Sequence, residues 1–441
     1  MLFLANNVYL CHTMSSLGWK YMHIQKLKIE NFRGVTDFNY ECGRSLNVLV
    51  GVNGAGKSTV LYAIDILFSW LVARLRNVNG KGYGLTDDDI TVGCGYCCLE
   101  VILDSGVMWR LYKQRSTNRK KPEGKTSLEQ LTVFANNILL NNEQNVKMAS
   151  LPLVATYGVT RAVVKSTPVR IHKRHAMDLL DAYNRDGGHV NFQSFFSWFR
   201  EREDIENEQL RENGVLKEDS QLRAVRTAIS EAIPGFDNLK VQRSPRSFII
   251  SKNGKKIKFD QLSDGEKSYI ALIGDIARKL SMTHPTVKNP LEGSGIVVID
   301  EIDLHLHPQW QHDVVASISK VFRNCQFFVS THSPVVLSNI SPSDKDKVFL
   351  LRDGNVMQVT DNLYAKRIDR IMMEEFALPS LRGKEVQDHI DAVWTCLRAN
   401  DCNSDEFKKN FEWLKENLAP SDSEFMQIVV QTRIINSRRL A

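Results

Sequence analysis

Gly51-Val52-Asn53-Gly54-Ala55-Gly56-Lys57-Ser58 is the stretch that decides how the rest of the chain is read. It follows the pattern G-x-x-x-x-G-K-S, in which Gly51 and Gly56 let the backbone curl until several N–H groups point into one anion hole. The lysine of such a loop reaches the β- and γ-phosphates of a nucleoside triphosphate, and the serine hydroxyl is a Mg²⁺ ligand; here these are Lys57 and Ser58. The flanks supply the context the pattern needs. Leu46-Asn47-Val48-Leu49-Val50 is a short apolar run suited to a buried strand. Beyond the loop, Val60, Leu61, Ile64, Leu67, Phe68 and Leu71 recur at helical spacing. Strand, glycine loop and helix N-terminus arrive in that order, so the helix dipole also favours phosphate. The expected nucleotide contacts are Gly51, Asn53, Gly54, Ala55, Gly56, Lys57, Ser58 and Thr59.

At 441 residues the chain exceeds one simple core, and two domains or a domain with a large insertion are expected. Hydrophobic residues make up 43% and charged residues 24%, as in an ordinary globular protein. A net charge of +6 and a pI near 8.8 permit nucleic-acid contact without arguing for it. No continuous apolar run reaches the roughly 18 residues of a membrane span. The opening Met1-Leu2-Phe3-Leu4-Ala5 lacks the basic start and the small-residue cleavage site of a secretory signal. Eight cysteines are too few for a disulfide scaffold at this size, which leaves reduced thiols and a cytoplasmic location as the expectation. Cys94, Cys97 and Cys98 have no second Cys or His pair at zinc spacing and read as strand residues.

Residues 1–22 read as an N-terminal extension of no assigned fold role. Ile24, Leu27, Ile29 and Phe32, then Val35 and Phe38, predict two strands around Asn31-Phe32-Arg33-Gly34, and residues 90–113 a hairpin region. The basic stretch from Arg110 to Lys125 carries Lys113, Arg115, Arg119, Lys120 and Lys121 against a lone Glu123. It reads first as a solvated loop and second as a phosphate-backbone contact to DNA. From Met177 to Ala232 the pattern is helical, with Leu179, Leu180, Tyr183, Phe192, Phe195, Phe196 and Phe199, and predicts a compact helical lobe. Val241 to Phe259 returns to a β-pattern, with a hairpin turn at Ser251-Lys252-Asn253-Gly254. Leu262-Ser263-Asp264-Gly265-Glu266 then opens a helix, and Ser263 with Glu266 has the spacing of a capping box. Ile296-Val297-Val298-Ile299 reads as a buried strand delivering Asp300 and Glu301 at its C-terminal end, which suits a parallel α/β sheet with its ligand there. A second strand at Phe327–Val329 leads into Ser330-Thr331-His332. Beyond Val359 the pattern is helical only.

The order of these pieces is more specific than any one of them, and it resembles the ATP-binding-cassette ATPase heads of the RecF/SMC/Rad50 type. Lys57, Ser58, Asp300, Glu301 and His332 match motif positions of that family one by one. The resemblance implies ATP and Mg²⁺ as cofactors, with Ser58 and Asp300 on the metal. It implies catalytic roles for Glu301, which polarises the attacking water, and for His332, which senses the γ-phosphate. Asn31-Phe32-Arg33 resembles the strand motif whose arginine lies near the phosphates, which adds Arg33 to the ATP-binding set. The signature residues Ser263, Gly265 and Glu266 complete the site of a second head in such proteins, so a homodimer or higher homo-oligomer closed over nucleotide is implied. His305 and His307 fall in the stretch that matches the family's D-loop. No glutamine stands at the expected glutamine loop, and Tyr157-Gly158 with Arg161 takes that place.

A narrower likeness rests on Tyr157-Gly158-x-x-Arg161, Phe195–Glu208 and Asp303–Pro308. It resembles a bacterial group described as predicted ATP-binding proteins involved in virulence, which includes ATPases similar to the Septu anti-phage component. The resulting expectation is an α/β ABC-ATPase head built from residues 23–160 and 236–360, a helical insertion at 161–235 and an all-α tail at 361–441. The implied activity is ATP hydrolysis that switches a partner, with a separate HNH nuclease as that partner and no membrane. The alternatives are a RecF/SMC-like DNA repair ATPase and, third, a transporter nucleotide-binding subunit. Asp344 and Asp346 lack the companions of a two-metal nuclease, so the chain alone is not expected to cut DNA.

Overall fold

The computed structural model describes residues 22–117, 124–144, 150–159, 179–183, 192–214, 218–244, 246–378 and 380–440. It divides into two units, Met1–Lys366 and Arg367–Ala441. In the first unit β1 (Ile24–Phe32) and β2 (Val35–Glu41) precede β3 (Leu46–Val50), the glycine loop and α1 (Lys57–Arg76). Then come β4 (Tyr96–Leu103), β5 (Met108–Gln114), α2 (Glu129–Gln144) and β6 (Leu153–Tyr157). Helices α3 (Phe192–Asn213) and α4 (Ser220–Ala232) lead into β7 (Phe236–Arg243), β8 (Arg246–Lys252) and β9 (Lys255–Lys258). The unit closes with α5 (Asp264–Thr283), β10 (Gly295–Ile299), α6 (Pro308–Val321), β11 (Cys325–Thr331), β12 (Asp346–Arg352) and β13 (Asn355–Val359).

One ten-stranded sheet runs β5-β4-β1-β2-β13-β12-β3-β11-β10-β6. Its β12-β3-β11-β10-β6 half is parallel, whereas β5-β4-β1-β2 is antiparallel. The parallel half is covered on both faces, which is why β3, β10 and β11 are buried at every position. Helix α1 is enclosed with the sheet in one core through Val60, Ile64, Phe68 and Leu71. The Phe68 ring meets Trp109 edge-on at 5.2 Å, and the indole N–H donates to the Leu67 carbonyl. By length and composition alone α1 is long and apolar enough to cross a membrane. Its burial explains the apolar character instead, because a core helix needs no polar face.

Helices α3 and α4 pack against neighbouring elements of the first unit. Phe195, Phe196 and Phe199 of α3 ring Phe248 of β8 at 4.7–5.7 Å, and Gln221 of α4 donates to the Ser281 carbonyl of α5. A second sheet, β7-β8-β9, turns at Asn253-Gly254, both with positive φ as such a hairpin requires. Asp346 starts β12.

The second unit is helical: α7 (Ile368–Glu374), α8 (Lys384–Arg398), α9 (Asp405–Asn417) and α10 (Ser423–Leu440). Ile390, Val393 and Leu397 meet Phe407, Leu414, Phe425 and Ile428 in its core. Arg382 clamps Asp422 through two bonds of 2.9 Å from one guanidinium nitrogen.

Candidate nucleotide site

The glycine loop lies where β3 ends and α1 begins, at the carboxyl edge of the parallel strands. Gly56 caps α1 with φ of 101°, and a Cβ there would lie 2.9 Å from the Val35 side chain. No side chain caps the N–H groups of this turn, and no acidic residue lies in it. A helix start left open in this way is suited to an anion. Lys57 is 5% exposed, and its ammonium donates to the carbonyls of Gly51 and Val52 at 2.9 and 3.0 Å. Burial pulls its pKa down, and the charges of Asp300, Glu301 and Asp303 partly oppose that.

Facing the loop, β10 and β11 end side by side. The Ser330 hydroxyl donates to Asp300 at 2.5 Å and accepts the Glu301 amide at 2.7 Å. One residue on, the Thr331 hydroxyl donates to Asp303 at 2.6 Å. Glu301 takes a left-handed φ of 49°, a conformation costly for a residue with a Cβ. The local turn is held by Ile302 N–H to the Ser330 carbonyl and by Asp300 N–H to the Tyr157 carbonyl. His332 is held below the ordinary imidazole range by burial and by the Lys57 charge. A neutral ring is therefore the form present at neutral pH.

Arg33, Asn53, Gly54, Ala55, Gly56, Lys57, Ser58, Thr59, Glu301 and His332 all line one cleft, together with Gly34 and Gly354. An adjoining cavity shares Arg33, Ser58 and Thr59 and adds Asp300, Tyr62, Asp65, Thr156, Tyr157 and Gly158. Gly51 contributes its carbonyl to Lys57 rather than lining the cleft. Tyr157 is fully buried and donates to Asp275, and it lines the adjoining cavity together with Gly158. Arg161 lies outside the described residues.

Sequence reasoning missed the residues that hold the site. Arg33, also at positive φ, donates to Asp89 at 2.6 Å and lies over the Tyr62 ring at 4.4 Å. Burial works against charge on Asp89, yet the Thr86 amide and the Arg33 guanidinium hold its carboxyl below the usual range. Asp65 accepts the Thr156 hydroxyl at 2.7 Å. No local pattern marks these pairs, although Tyr62 and Asp65 are one helical turn apart on α1.

The signature residues are placed elsewhere. Ser263, Gly265 and Glu266 line neither cavity. Ser263 and Glu266 form the capping box of α5, and Lys252 donates to Glu266 at 2.6 Å. Glu266 is thus paired within its own chain. Gly265 packs against the turn after Glu301: a Cβ there would lie 2.2 Å from the His305 carbonyl. His307 caps α6. Among the described residues no group of three His, Cys, Asp or Glu side chains could hold a metal by itself.

The basic stretch is only partly a solvated loop. Arg110 pairs with Glu100, Lys113 with Asp87, and Arg115 donates to the carbonyls of Cys94 and Ile90. Arg119, Lys120 and Lys121 lie outside the described residues.

A glycine loop opening a core helix, beside one parallel strand tipped by Asp300 and Glu301 and a neighbour tipped by His332, defines a P-loop ATPase head of the α/β class. Family models agree: an "AAA ATPase domain" matches residues 22–150, and an AAA domain described for the AbiEii toxin of a type IV TA system matches residues 161–338. The chain is 32% identical over 396 residues to the "Retron Ec83 probable ATPase" of Escherichia coli, covering 76% of this chain and 72% of that one. It is 30% identical to the "Retron Vc95 probable ATPase" of Vibrio cholerae, covering 78% and 77%. A Septu protein PtuA of Bacillus thuringiensis is 27% identical over 70% of this chain and 72% of its own. The chain belongs to the family of the retron ATPases, and it is an ATPase.

Proposed function

We propose that this chain binds ATP with Mg²⁺ in the cleft between the glycine loop and the ends of β10 and β11. Binding closes two copies over nucleotide, and hydrolysis reopens them. The observation that carries the reading is the convergence of Arg33, residues 53–59, Glu301 and His332 on one cleft, although they come from four separate parts of the chain. The open α1 start and the glycine cradle fit a phosphate chain, and Ser58 and Asp300 meet at the adjoining cavity where a metal would be held. Bound there, Mg²⁺ and ATP supply the phosphoryl group and the charge that polarises it. The loop amides and Lys57 hold the phosphates, Glu301 orients a water, and neutral His332 reports on the γ-phosphate. The Ser330 hydroxyl holds the Asp300 carboxylate and the Glu301 backbone amide.

In this reading the switched partner is a separate HNH nuclease of a cytoplasmic anti-phage system, and DNA is a second partner of the assembly. The similarity to a Septu protein supports the defence role. The test is a nuclease assay with purified chain in ATP and Mg²⁺ or Mn²⁺. ATP should be hydrolysed and DNA left intact until the second polypeptide is added. DNA cleavage by the chain alone, lost on substitution of Asp344 and Asp346, would overturn the division of labour. Lys57→Ala should abolish ATP binding in calorimetry, and unchanged affinity would overturn the placement of the nucleotide.

A further inference from the structure

The small sheet β7-β8-β9 has two unlike faces. Phe248 and Ile250 of β8 are buried on one, beneath the α3 aromatics. On the other, the register sets Lys240, Ile249 and Lys258 in one row across the three strands, and Lys256 opposite Ser251 in the next. Lys240, Lys256 and Lys258 are exposed, as is Lys255 at the hairpin end. Strands lie about 4.8 Å apart and alternate residues about 6.8 Å, so the three facing lysines leave the backbone within about 12 Å of one another. Such a cluster of like charge raises the energy of the free protein until counter-charge arrives.

Several strand lysines are paired, as Lys28 is with Glu30, Lys113 with Asp87 and Lys252 with Glu266. Among the described residues, Lys240, Lys255, Lys256 and Lys258 take part in no ion pair. The acids nearest in sequence are Asp237, which accepts from Asn238, and the exposed Asp260.

We propose that the outer face of the β7-β8-β9 sheet docks the phosphate backbone of a nucleic acid through Lys240, Lys256 and Lys258. This rests on the reading of a DNA partner and is independent of the ATP site. The rest of the face decides between nucleic acid and an acidic protein. It offers half-buried Gln242 and Ser247 and a single half-buried aliphatic side chain, Ile249, with Ser251 buried and one exposed carboxylate, Asp237, opposite it in the Lys256 row. Protein partners anchor on aromatic or apolar side chains in pockets, and none is present there. Phosphates are met by lysine, serine and glutamine, the side chains this face carries.

The experiment is a fluorescence-anisotropy titration of a labelled random-sequence duplex with the full chain from 50 to 200 mM salt. A Lys240→Ala/Lys256→Ala/Lys258→Ala variant and the corresponding triple arginine variant are titrated alongside. Three lost phosphate contacts flatten the log K against log salt slope by about 2.7, so wild type should lose ~40-fold more affinity over that range than the alanine variant. The arginine variant should behave as wild type, the loss should be equal across sequences, and ATP hydrolysis measured on the same samples should be unchanged. Wild type that binds no duplex at 50 mM salt would overturn the DNA reading and this surface together. Wild-type binding with an unaltered slope in the alanine variant would overturn the surface alone. Polyglutamate binding as tight as DNA, and lost in the same variant, would make the face a protein site and overturn the proposal.

Discussion

The Arg33 guanidinium donates through Nε to the Asp89 carboxylate at 2.6 Å, between residues 56 positions apart. The backbone repeats the link, with Arg33 N–H on the Asp89 carbonyl at 3.0 Å. Asp89 is 3% exposed and also takes the Thr86 amide and hydroxyl, so it cannot swing with its partner. Arg33 is thereby held over Tyr62 at the junction of both cavities. Asp89 is a positioning residue for Arg33. Asp89→Asn should raise the KM for ATP by about 10-fold, the scale of one lost hydrogen bond to a charged group, with a smaller change in kcat. A fall in kcat at unchanged KM would show that Arg33 does not serve binding.

Glu301 is placed by its amide on Ser330 and by a left-handed backbone. Glu301→Gln keeps the shape and removes the charge that draws a proton from water. Hydrolysis should fall by about 10²–10⁴-fold while ATP binding stays within a factor of a few. Size-exclusion chromatography with ATP should show this variant accumulating as a closed dimer. Turnover at the wild-type rate would falsify the assignment of Glu301.

The His332 imidazole lies below its ordinary 6.5 because burial and the Lys57 charge both disfavour the proton. Lowering keeps the neutral ring down to a more acid pH. The acid limb of kcat/KM for ATP hydrolysis should therefore fall below pH 6.5, and His332→Ala should remove that limb along with most of the rate. An acid limb centred above 6.5 would contradict the electrostatics of the cleft.

Asp275 is 1% exposed and collects Tyr157, Arg278 and Lys279. Burial opposes its charge, but the two cations and the Tyr157 hydroxyl hold its carboxyl down to about 2. A depressed folded-state value stabilises the fold at pH values above the unfolded value near 3.8. That contribution is lost as pH falls from about 4 towards 2. Asp275→Asn leaves two buried cations short of a partner and should cost roughly 3–5 kcal/mol in urea unfolding at neutral pH. A loss under 1 kcal/mol would show the cluster to be incidental.

Contiguous chemistry was legible in the chain itself. Residues 51–58 announce a phosphate loop because the curled backbone and its lysine are local in sequence. The capping box of Ser263 and Glu266, the acid-tipped strand at Asp300 and the tail faces at Ile390, Phe407 and Ile428 are equally local, since periodicity and capping act over one or two turns. The rest was settled by sheet order. With β11 between β3 and β10, Ser330 comes beside Asp300 and His332 beside the loop. The antiparallel half carries Arg33 to Asp89, so two residues with no shared motif become one device. The basic residues show the same division: charge can be counted in the sequence, but partners cannot. Arg110 and Lys113 are neutralised by Glu100 and Asp87, whereas Lys240, Lys256 and Lys258 share a solvent face because strand alternation and register put them there. An ion pair forms or fails according to distances of a few ångström, and only the packed sheet sets those distances.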